Sequence, residues 1–107
     1  MKRGDVCWYT FAPPDKRRPV LVLTRNSAIP VLNTVTVAPL TSTIRSIPTE
    51  IVLTREDGVR DTCAANFDNL QTVSKTKVGA RITHLSAARM KDAIMAISFA
   101  LGFDEGD

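Results

Sequence analysis

A run of cations precedes the most apolar stretch of the chain. Asp15 begins a predicted turn, an apolar run starts at Pro19, and between them stand Lys16, Arg17 and Arg18. A planar guanidinium that stays charged is suited to phosphate oxygens. Arg18 adjoins the apolar run, so we expect its guanidinium to be fixed at a rim. A solvated charged loop is the alternative interpretation.

Two further polar clusters follow strand-like segments. Residues Pro39–Thr43 end one segment with three hydroxyl side chains. Such hydroxyls can hold a phosphate or ribose oxygen, although in turns they more often satisfy local backbone groups. The segment Asp68–Thr72 carries side-chain amides, which can read base edges or stabilise turns. Each cluster alone is compatible with either role.

Aromatic residues alternate along the first strand-like run. Trp8 faces opposite to Tyr9 and Phe11, because successive side chains of a strand point to opposite faces. Most of this aromatic surface is expected in the core. One exposed ring could instead stack on a nucleobase.

Residue types that often act as metal ligands or nucleophiles are few. The single histidine, His84, stands where the predicted helix begins, and a packing role with a satisfied partner is expected there. Cys7 and Cys63 lie among apolar neighbours, which is typical of buried free thiols. With one histidine and no Cys-x-x-Cys pair, the chain offers little for a metal site of ordinary ligand spacing.

Length and composition limit the class of protein. The 107 residues suit one domain, 1–107, and 44% hydrophobic residues supply a core, which excludes a disordered chain. Lysine and arginine number 14 against 11 acidic residues, and the net charge of +3 permits a polyanionic partner without requiring one. Two cysteines do not make a disulfide framework, and no apolar segment is long enough for a signal peptide or a membrane span. We expect a soluble, cytoplasmic protein with no membrane role.

The first two thirds of the chain show the pattern of short strands separated by turns. The almost unbroken apolar run from Pro19 predicts a strand covered on both faces. Asp57-Gly58 between extended runs predicts a hairpin, since both residues tolerate positive φ. This pattern favours a small, strongly bent antiparallel sheet or barrel. The predicted strands are Val6–Phe11, Pro19–Thr24, Thr34–Ala38, Glu50–Thr54 and Asp61–Ala65.

One amphipathic helix is predicted to follow the strands. It begins after Ser86, whose hydroxyl can accept from free backbone amides, and ends near Gly102, which suits a left-handed cap. Leu85 and Met90 have the spacing of a hydrophobic staple. Apolar residues recur at three- and four-residue spacing, so one face is expected to close over the sheet. The members of that face are Met90, Ala93, Ile94, Ile97, Ala100 and Leu101.

Short segments, in order along nearly the whole chain, carry a family resemblance. They are Arg3-Gly4-Asp5-Val6, Trp8, Phe11-Ala12-Pro13, Arg18-Pro19-Val20-Leu21-Val22, Pro39-Leu40-Thr41-Ser42, Phe67-Asp68-Asn69-Leu70-Gln71-Thr72-Val73-Ser74-Lys75 and His84-Leu85-Ser86. Together they resemble the MazF/PemK (Kid) family of toxin endoribonucleases. The resemblance implies a mainly β fold, an SH3-like barrel with a C-terminal α-helix, that works as a homodimer. It also implies cleavage of single-stranded RNA without a metal or another cofactor, and neutralisation by a cognate antitoxin.

The resemblance assigns roles to particular positions. Arg18 matches the family's catalytic arginine, and Thr41 matches the hydroxyl residue that works with it. Arg18 is expected to bind the scissile phosphate, to stabilise the phosphorane and to donate a proton to the leaving oxygen, while Thr41 positions the phosphate or the 2′-hydroxyl. Asp68 is a candidate general base. The residues expected to bind RNA are Phe11, Lys16, Arg17, Ser42 and Asn69.

The chain departs from the family pattern in several places. Asn69 stands where members often have glutamine, Gln71 replaces an arginine, and Ser74 replaces an aspartate. The first turn lacks the longer Gly- and Glu-containing loop of many members. These departures bear on the cleavage sequence more than on the reaction. Two alternatives remain: a non-catalytic toxin of the same fold that inhibits DNA gyrase through the exposed end of the helix, and a plain peptide- or nucleic-acid-binding SH3-like module.

Overall fold

The described part of the chain folds into a seven-stranded sheet and one α-helix. The structure, a computed structural model, describes residues 1–14 and 16–105 except for the side chain of Asp104, so Asp15 of the predicted charged turn lies outside the described residues. Four short 3-10 turns supplement these elements. The elements are β1 (Asp5–Thr10), β2 (Arg17–Val22), β3 (Thr34–Thr41), β4 (Glu50–Leu53), β5 (Cys63–Asn66), β6 (Gln71–Ser74), β7 (Arg81–His84) and α1 (Ala87–Ala100).

The sheet is antiparallel throughout and curls around the long strand β3. Its order is β4-β5-β3-β2-β1-β7, and β6 pairs with the first half of β3. At its other end, β3 pairs with β5 through Leu40 and Thr41. One strand thus changes partner along its length, which bends the sheet into a half-barrel with the helix packed on it. The predicted mainly β fold with a C-terminal helix is confirmed.

Alternating side chains of the central strands fill two cores. Val6 and Leu21 point to the core that the helix covers, while Cys7 and Val20 belong to a second core on the opposite face. All four are nearly inaccessible to solvent. Strand β2 is therefore covered on both faces, as the sequence predicted, because one core lies on each side of it.

The predicted hairpin at Asp57-Gly58 forms, but with a longer connection than a two-residue turn. Strands β4 and β5 pair, and residues 54–62 join them. A 3-10 turn, Arg55–Asp57, is capped by the Thr54 hydroxyl, and Gly58 follows with φ 95°. Gly58 is required here because a Cβ would lie 2.1 Å from Thr83 Oγ1. The strands β6 and β7 were not predicted.

The helix boundaries match the prediction, but the predicted buried face is wrong in part. Ser86 Oγ accepts from the Arg89 backbone N–H at 3.2 Å, and Gly102 adopts φ 76°. The fully buried helix residues are the small Ala93 and Ala96. Large sheet side chains already fill this core, so the helix contributes alanines at the closest approach. Met90, Ile97 and Ala100 are half-buried as expected, whereas Ile94 and Leu101 are 57% and 51% exposed.

Candidate functional site

Arg18 and Thr41 lie at the same end of the β2–β3 strand pair. Val20 pairs with Pro39 in this antiparallel pair, and Arg18 stands two positions before Val20 while Thr41 stands two positions after Pro39. Both side chains are half-buried, and both line the same two crevices. The pairing of β2 with β3 therefore brings a guanidinium and a hydroxyl to the rim of the same two crevices. A rim position is what the sequence predicted for Arg18.

The larger crevice, of about 680 Å³, has an apolar floor and a cationic rim. We call it the apolar crevice. The Arg17 guanidinium lies 4.1 Å from the centre of the Trp8 ring, within cation–π range. Four cations line it against one carboxylate, Asp61, which favours a polyanionic ligand. Its lining comprises Trp8, Lys16, Arg17, Arg18, Pro19, Leu40, Thr41, Ser42, Thr43, Val59, Arg60, Asp61, Thr62, Cys63 and Ile82.

The smaller crevice, of about 240 Å³, is mostly polar, and we call it the polar crevice. Glu50 supplies its carboxylate, and Arg18 and Arg45 supply its cations. The backbone N–H groups of Arg45 and Ser46 both donate to Glu50 Oε1, each at 2.8 Å, so this glutamate holds the loop that precedes β4. The lining residues are Arg18, Pro39, Thr41, Thr43, Arg45, Ile47, Glu50, Asn66 and Asn69.

The hydroxyl of Thr41 also has the local role that the sequence left open. Its Oγ1 accepts from the Thr43 backbone N–H at 3.1 Å, which stabilises the turn after β3. The hydroxyl hydrogen can still be donated to a bound oxygen, since one hydroxyl both accepts and donates. Turn stabilisation and ligand positioning are thus compatible at this residue.

The structure brings together most, but not all, of the predicted site residues. Lys16, Arg17 and Ser42 line the apolar crevice, and Asn69 lines the polar one. Phe11 lines neither crevice but a third depression, together with Tyr9. Its ring centre is nevertheless only 5.8 Å from the Arg18 guanidinium carbon.

The candidate base Asp68 is placed differently. Its Oδ2 accepts from the Thr49 hydroxyl at 2.5 Å, and Asp68 is not among the residues that line either crevice. Asn66 and Asn69, on each side of it in sequence, do line the polar crevice. The role of Asp68 therefore stays a prediction.

Sequence reasoning missed Glu50 and Asn66. These two residues pair directly across β4 and β5, which places a carboxylate and an amide together at the edge of the polar crevice. The only sequence signal was a polar residue at one end of each of two predicted strands: Glu50 begins the first, and Asn66 follows the second. That signal is weak, because strand ends are polar in most proteins.

Cys7 is a buried free thiol as predicted, whereas Cys63 is half-buried and lines the apolar crevice. His84 has the expected polar partner but is exposed. Burial, reinforced by Asp57 and Asp61, raises the pKa of the Cys63 thiol, which therefore stays protonated at neutral pH. His84 Nδ1 lies 2.8 Å from Asp5 Oδ1, outside both crevices. Within the described ranges, no group of three His, Cys, Asp or Glu side chains could hold a metal ion.

Over the residues that the structure describes, no helix combines the length and the apolar character that a membrane crossing needs.

Comparison with known proteins identifies relatives over nearly the whole chain. Residues 2–101 match the model of the PemK-like, MazF-like toxins of type II toxin–antitoxin systems. The chain is 40% identical over 103 residues to a protein named probable endoribonuclease MazF2 of Mycobacterium tuberculosis, covering 95% of this chain and 99% of that protein. It is 38% identical over 94 residues to endoribonuclease MazF3 of the same species, covering 88% and 91%.

Solved structures agree in fold. The Mycobacterium tuberculosis toxin MazF-mt6 superposes with a TM-score of 0.84 at 34% identity, covering 92% of this chain and 96% of that one. A mycobacterial endoribonuclease in complex with its cognate antitoxin gives a TM-score of 0.83 at 26% identity, covering 95% of each chain. These matches confirm the small toxin fold that the resemblance implied.

Proposed function

Because the chain belongs to the PemK-like, MazF-like toxins of type II toxin–antitoxin systems, we propose that it is an endoribonuclease that cuts single-stranded RNA. The observation that carries the proposal is that Arg18 and Thr41 border the same two crevices. A guanidinium binds phosphate oxygens through parallel N–H groups, and the neighbouring hydroxyl can orient the same phosphate. The relatives named endoribonucleases support this activity.

The proposed reaction uses the nucleophile that RNA itself carries. The 2′-hydroxyl loses its proton and attacks the adjacent phosphorus, and the bond from phosphorus to the 5′-oxygen breaks. Arg18 stabilises the added negative charge, and Thr41 aligns the phosphate or the 2′-hydroxyl. Because an arginine does not lose its proton in proteins, we assign the proton that the 5′-oxygen gains to solvent rather than to Arg18. No metal or other cofactor is required for these steps.

The cationic rim is proposed to hold the RNA backbone. Lys16 and Arg17 line the apolar crevice beside Arg18, and both are exposed. Phosphate contacts of this kind release counterions, so RNA binding should weaken as salt is added. Phe11, Ser42 and Asn69 are proposed to contact the nucleotides on either side of the scissile phosphate.

The proposed protein partners are a second copy of the chain and a cognate antitoxin. A solved relative was captured with its cognate antitoxin. Large apolar side chains of the helix and of the segment after it are exposed, among them Met95 at 71% and Phe103 at 67%, and exposed apolar patches mark interaction sites. We further propose one toxin domain over residues 1–107 and a cytoplasmic location, where mRNA is accessible.

The test is product analysis of RNA cut by the purified protein in EDTA. We expect single-stranded RNA to be cleaved and to end in 2′,3′-cyclic phosphates and 5′-hydroxyls. Sequencing the new 5′ ends on a mixed transcript pool would define the cleavage motif. Products with 5′-phosphates, or cleavage that stops when metal is removed, would contradict the proposed mechanism.

Inhibition of DNA gyrase is the alternative function. It is favoured by the exposed Leu101 and Phe103 at the end of the helix, because that alternative uses this end to contact its target. Supercoiling and RNA cleavage are assayed in parallel for Arg18→Ala and Phe103→Ser. Loss of cleavage only in Arg18→Ala supports the nuclease, whereas gyrase inhibition that only Phe103→Ser removes supports the alternative.

A further inference from the structure

Among the described residues, Glu50 has one engaged and one unengaged carboxylate oxygen. It is half-buried at the start of β4, and both backbone N–H groups that bind it donate to Oε1. Within the described ranges, Oε2 has no hydrogen-bond partner. One oxygen therefore fixes the side chain in place and the other is left without a partner in the described part of the chain, on a residue that lines the polar crevice together with Arg18 and Thr41.

The loop that Glu50 holds gives the carboxylate a fixed position. Ser46, one of its two donors, has φ 54°, a left-handed conformation that a serine seldom adopts. The two hydrogen bonds from Arg45 and Ser46 offset the energetic cost of that conformation and tie the loop to β4. Glu50 is thus oriented before any ligand arrives. A general base needs such a fixed position, because it must lie within hydrogen-bond reach of the proton that it removes.

Asp68, the carboxylate that the sequence suggested as the base, is engaged elsewhere. Its Oδ2 lies 2.5 Å from the hydroxyl of the buried Thr49, and Thr49 directly precedes Glu50 in the chain. To act as base, Asp68 would have to reach a crevice that it does not line. Glu50 already lines that crevice.

We propose that Glu50 is the general base of the RNA cleavage reaction, an inference that rests on the function proposed above. Oε2 takes the proton of the 2′-hydroxyl while the 2′-oxygen bonds to phosphorus. The bond from phosphorus to the 5′-oxygen then breaks, the 5′-oxygen takes a proton from solvent, and Glu50 returns its proton to solvent. Charge and atoms balance without a further reactant.

The charges that face Glu50 suit this role. Arg18 from β2 and Arg45 from the loop are the cations of the crevice, and the facing residues from the other elements are neutral: Thr41 and Thr43, and the amides Asn66 and Asn69. Asp68 stands between Asn66 and Asn69 in the sequence but does not line the crevice. Arg18 lines the same crevice and can hold the phosphate beside Glu50.

The test is the pH dependence of kcat/KM for Glu50→Gln. The amide oxygen can still accept from Arg45 and Ser46, so the loop should stay in place while the base is lost. We expect kcat/KM to fall about 10²- to 10⁴-fold, and the acid limb of the wild-type profile to disappear. Glu56→Gln, on an exposed carboxylate outside the polar crevice, is the matched control and should keep both the rate and the acid limb.

Other outcomes overturn the inference in distinguishable ways. If Glu50→Gln is slow but keeps the acid limb, Glu50 only positions the loop. If Asp68→Asn removes the limb, Asp68 is the base. In both cases, cleavage that still depends on Arg18 leaves the proposed function intact. A folded wild-type protein that cuts no RNA overturns the proposed function and this inference together.

Discussion

The charged side chains at the two ends of strand β1 have opposite surroundings. At its beginning, Asp5 is 3% exposed and fully engaged: the Lys2 backbone N–H donates to it at 2.8 Å, and His84 Nδ1 lies 2.8 Å away. At its end, the guanidiniums of Arg17 and Arg18 face the aromatic rings of Trp8 and Phe11. No carboxylate of the described residues lies within ion-pair distance of either arginine.

This difference separates stability from function along one strand. A buried carboxylate whose hydrogen bonds are satisfied by the protein ties β1 to β7, and it has nothing left to offer a ligand. Cations that lie over aromatic faces keep their N–H groups available for phosphate oxygens. Substitutions at the first end should therefore change the free energy of unfolding, and those at the second end should change RNA cleavage and binding.

Between the two ends of β1, the largest effect is expected from Arg18→Ala. Removing the group that stabilises the phosphorane should raise the barrier by roughly 3 kcal/mol, a loss of about a hundredfold or more in cleavage rate. Arg18→Lys should recover only part of the rate, because an ammonium lacks the planar fork. The measurement is single-turnover cleavage of a labelled single-stranded RNA.

The matched control for this substitution is Arg25→Ala, at an exposed arginine that lines neither crevice. It should keep the wild-type rate, and the melting temperature of Arg18→Ala should stay close to that of the wild type. A folded Arg18→Ala protein that cuts at full speed would refute the mechanism.

The next effect concerns stability and its pH dependence through Asp5. Burial acts to raise the pKa of Asp5, but the hydrogen bonds from His84 and Lys2 and the charges of His84 and Arg81 outweigh it and lower the pKa below its ordinary value. A carboxylate with a lowered folded pKa stabilises the protein above its unfolded pKa, about 3.9, and loses that contribution as pH falls through the folded pKa.

Asp5→Asn should therefore lower the free energy of unfolding at pH 7 by about 1.5–3 kcal/mol, the contribution of a hydrogen bond to a charged group. The gap between wild type and variant should narrow as the pH falls below about 4. Urea unfolding at several pH values measures both, and cleavage per folded molecule should not change. A gap that does not depend on pH would contradict the assignment.

The smallest effect is expected at the apolar crevice. Trp8→Leu should weaken binding of a mixed-sequence 2′-O-methyl RNA about tenfold, since base–aromatic stacking contributes about 1–3 kcal/mol per base. Trp8→Phe, which keeps a ring, should retain most of the affinity. Trp8 is the single tryptophan, so its fluorescence reports binding directly in the wild type. Equal affinity for all three proteins would show that the indole only packs.

Local patterns predicted much of the fold because their causes are local. Ser86 and Gly102 mark the helix ends through hydrogen bonds and a backbone conformation that involve near neighbours. Strands β6 and β7 were missed since they are short and keep several side chains partly exposed, so their periodicity is faint. The face of α1 was misjudged at Ile94 and Leu101, because spacing indicates apolar stripes but not how closely the sheet approaches.

For the site, the sequence by itself determined which chemical groups are present and, through the family likeness, that Arg18 and Thr41 belong together. Only the tertiary structure decided that Glu50 lines the polar crevice with Arg18 and Thr41, and that Asp68 accepts a hydrogen bond from Thr49. The reason is physical: side chains from β2, β3 and β4 become neighbours through strand pairing, which depends on the packing of the whole sheet. No local pattern in the chain contains that information.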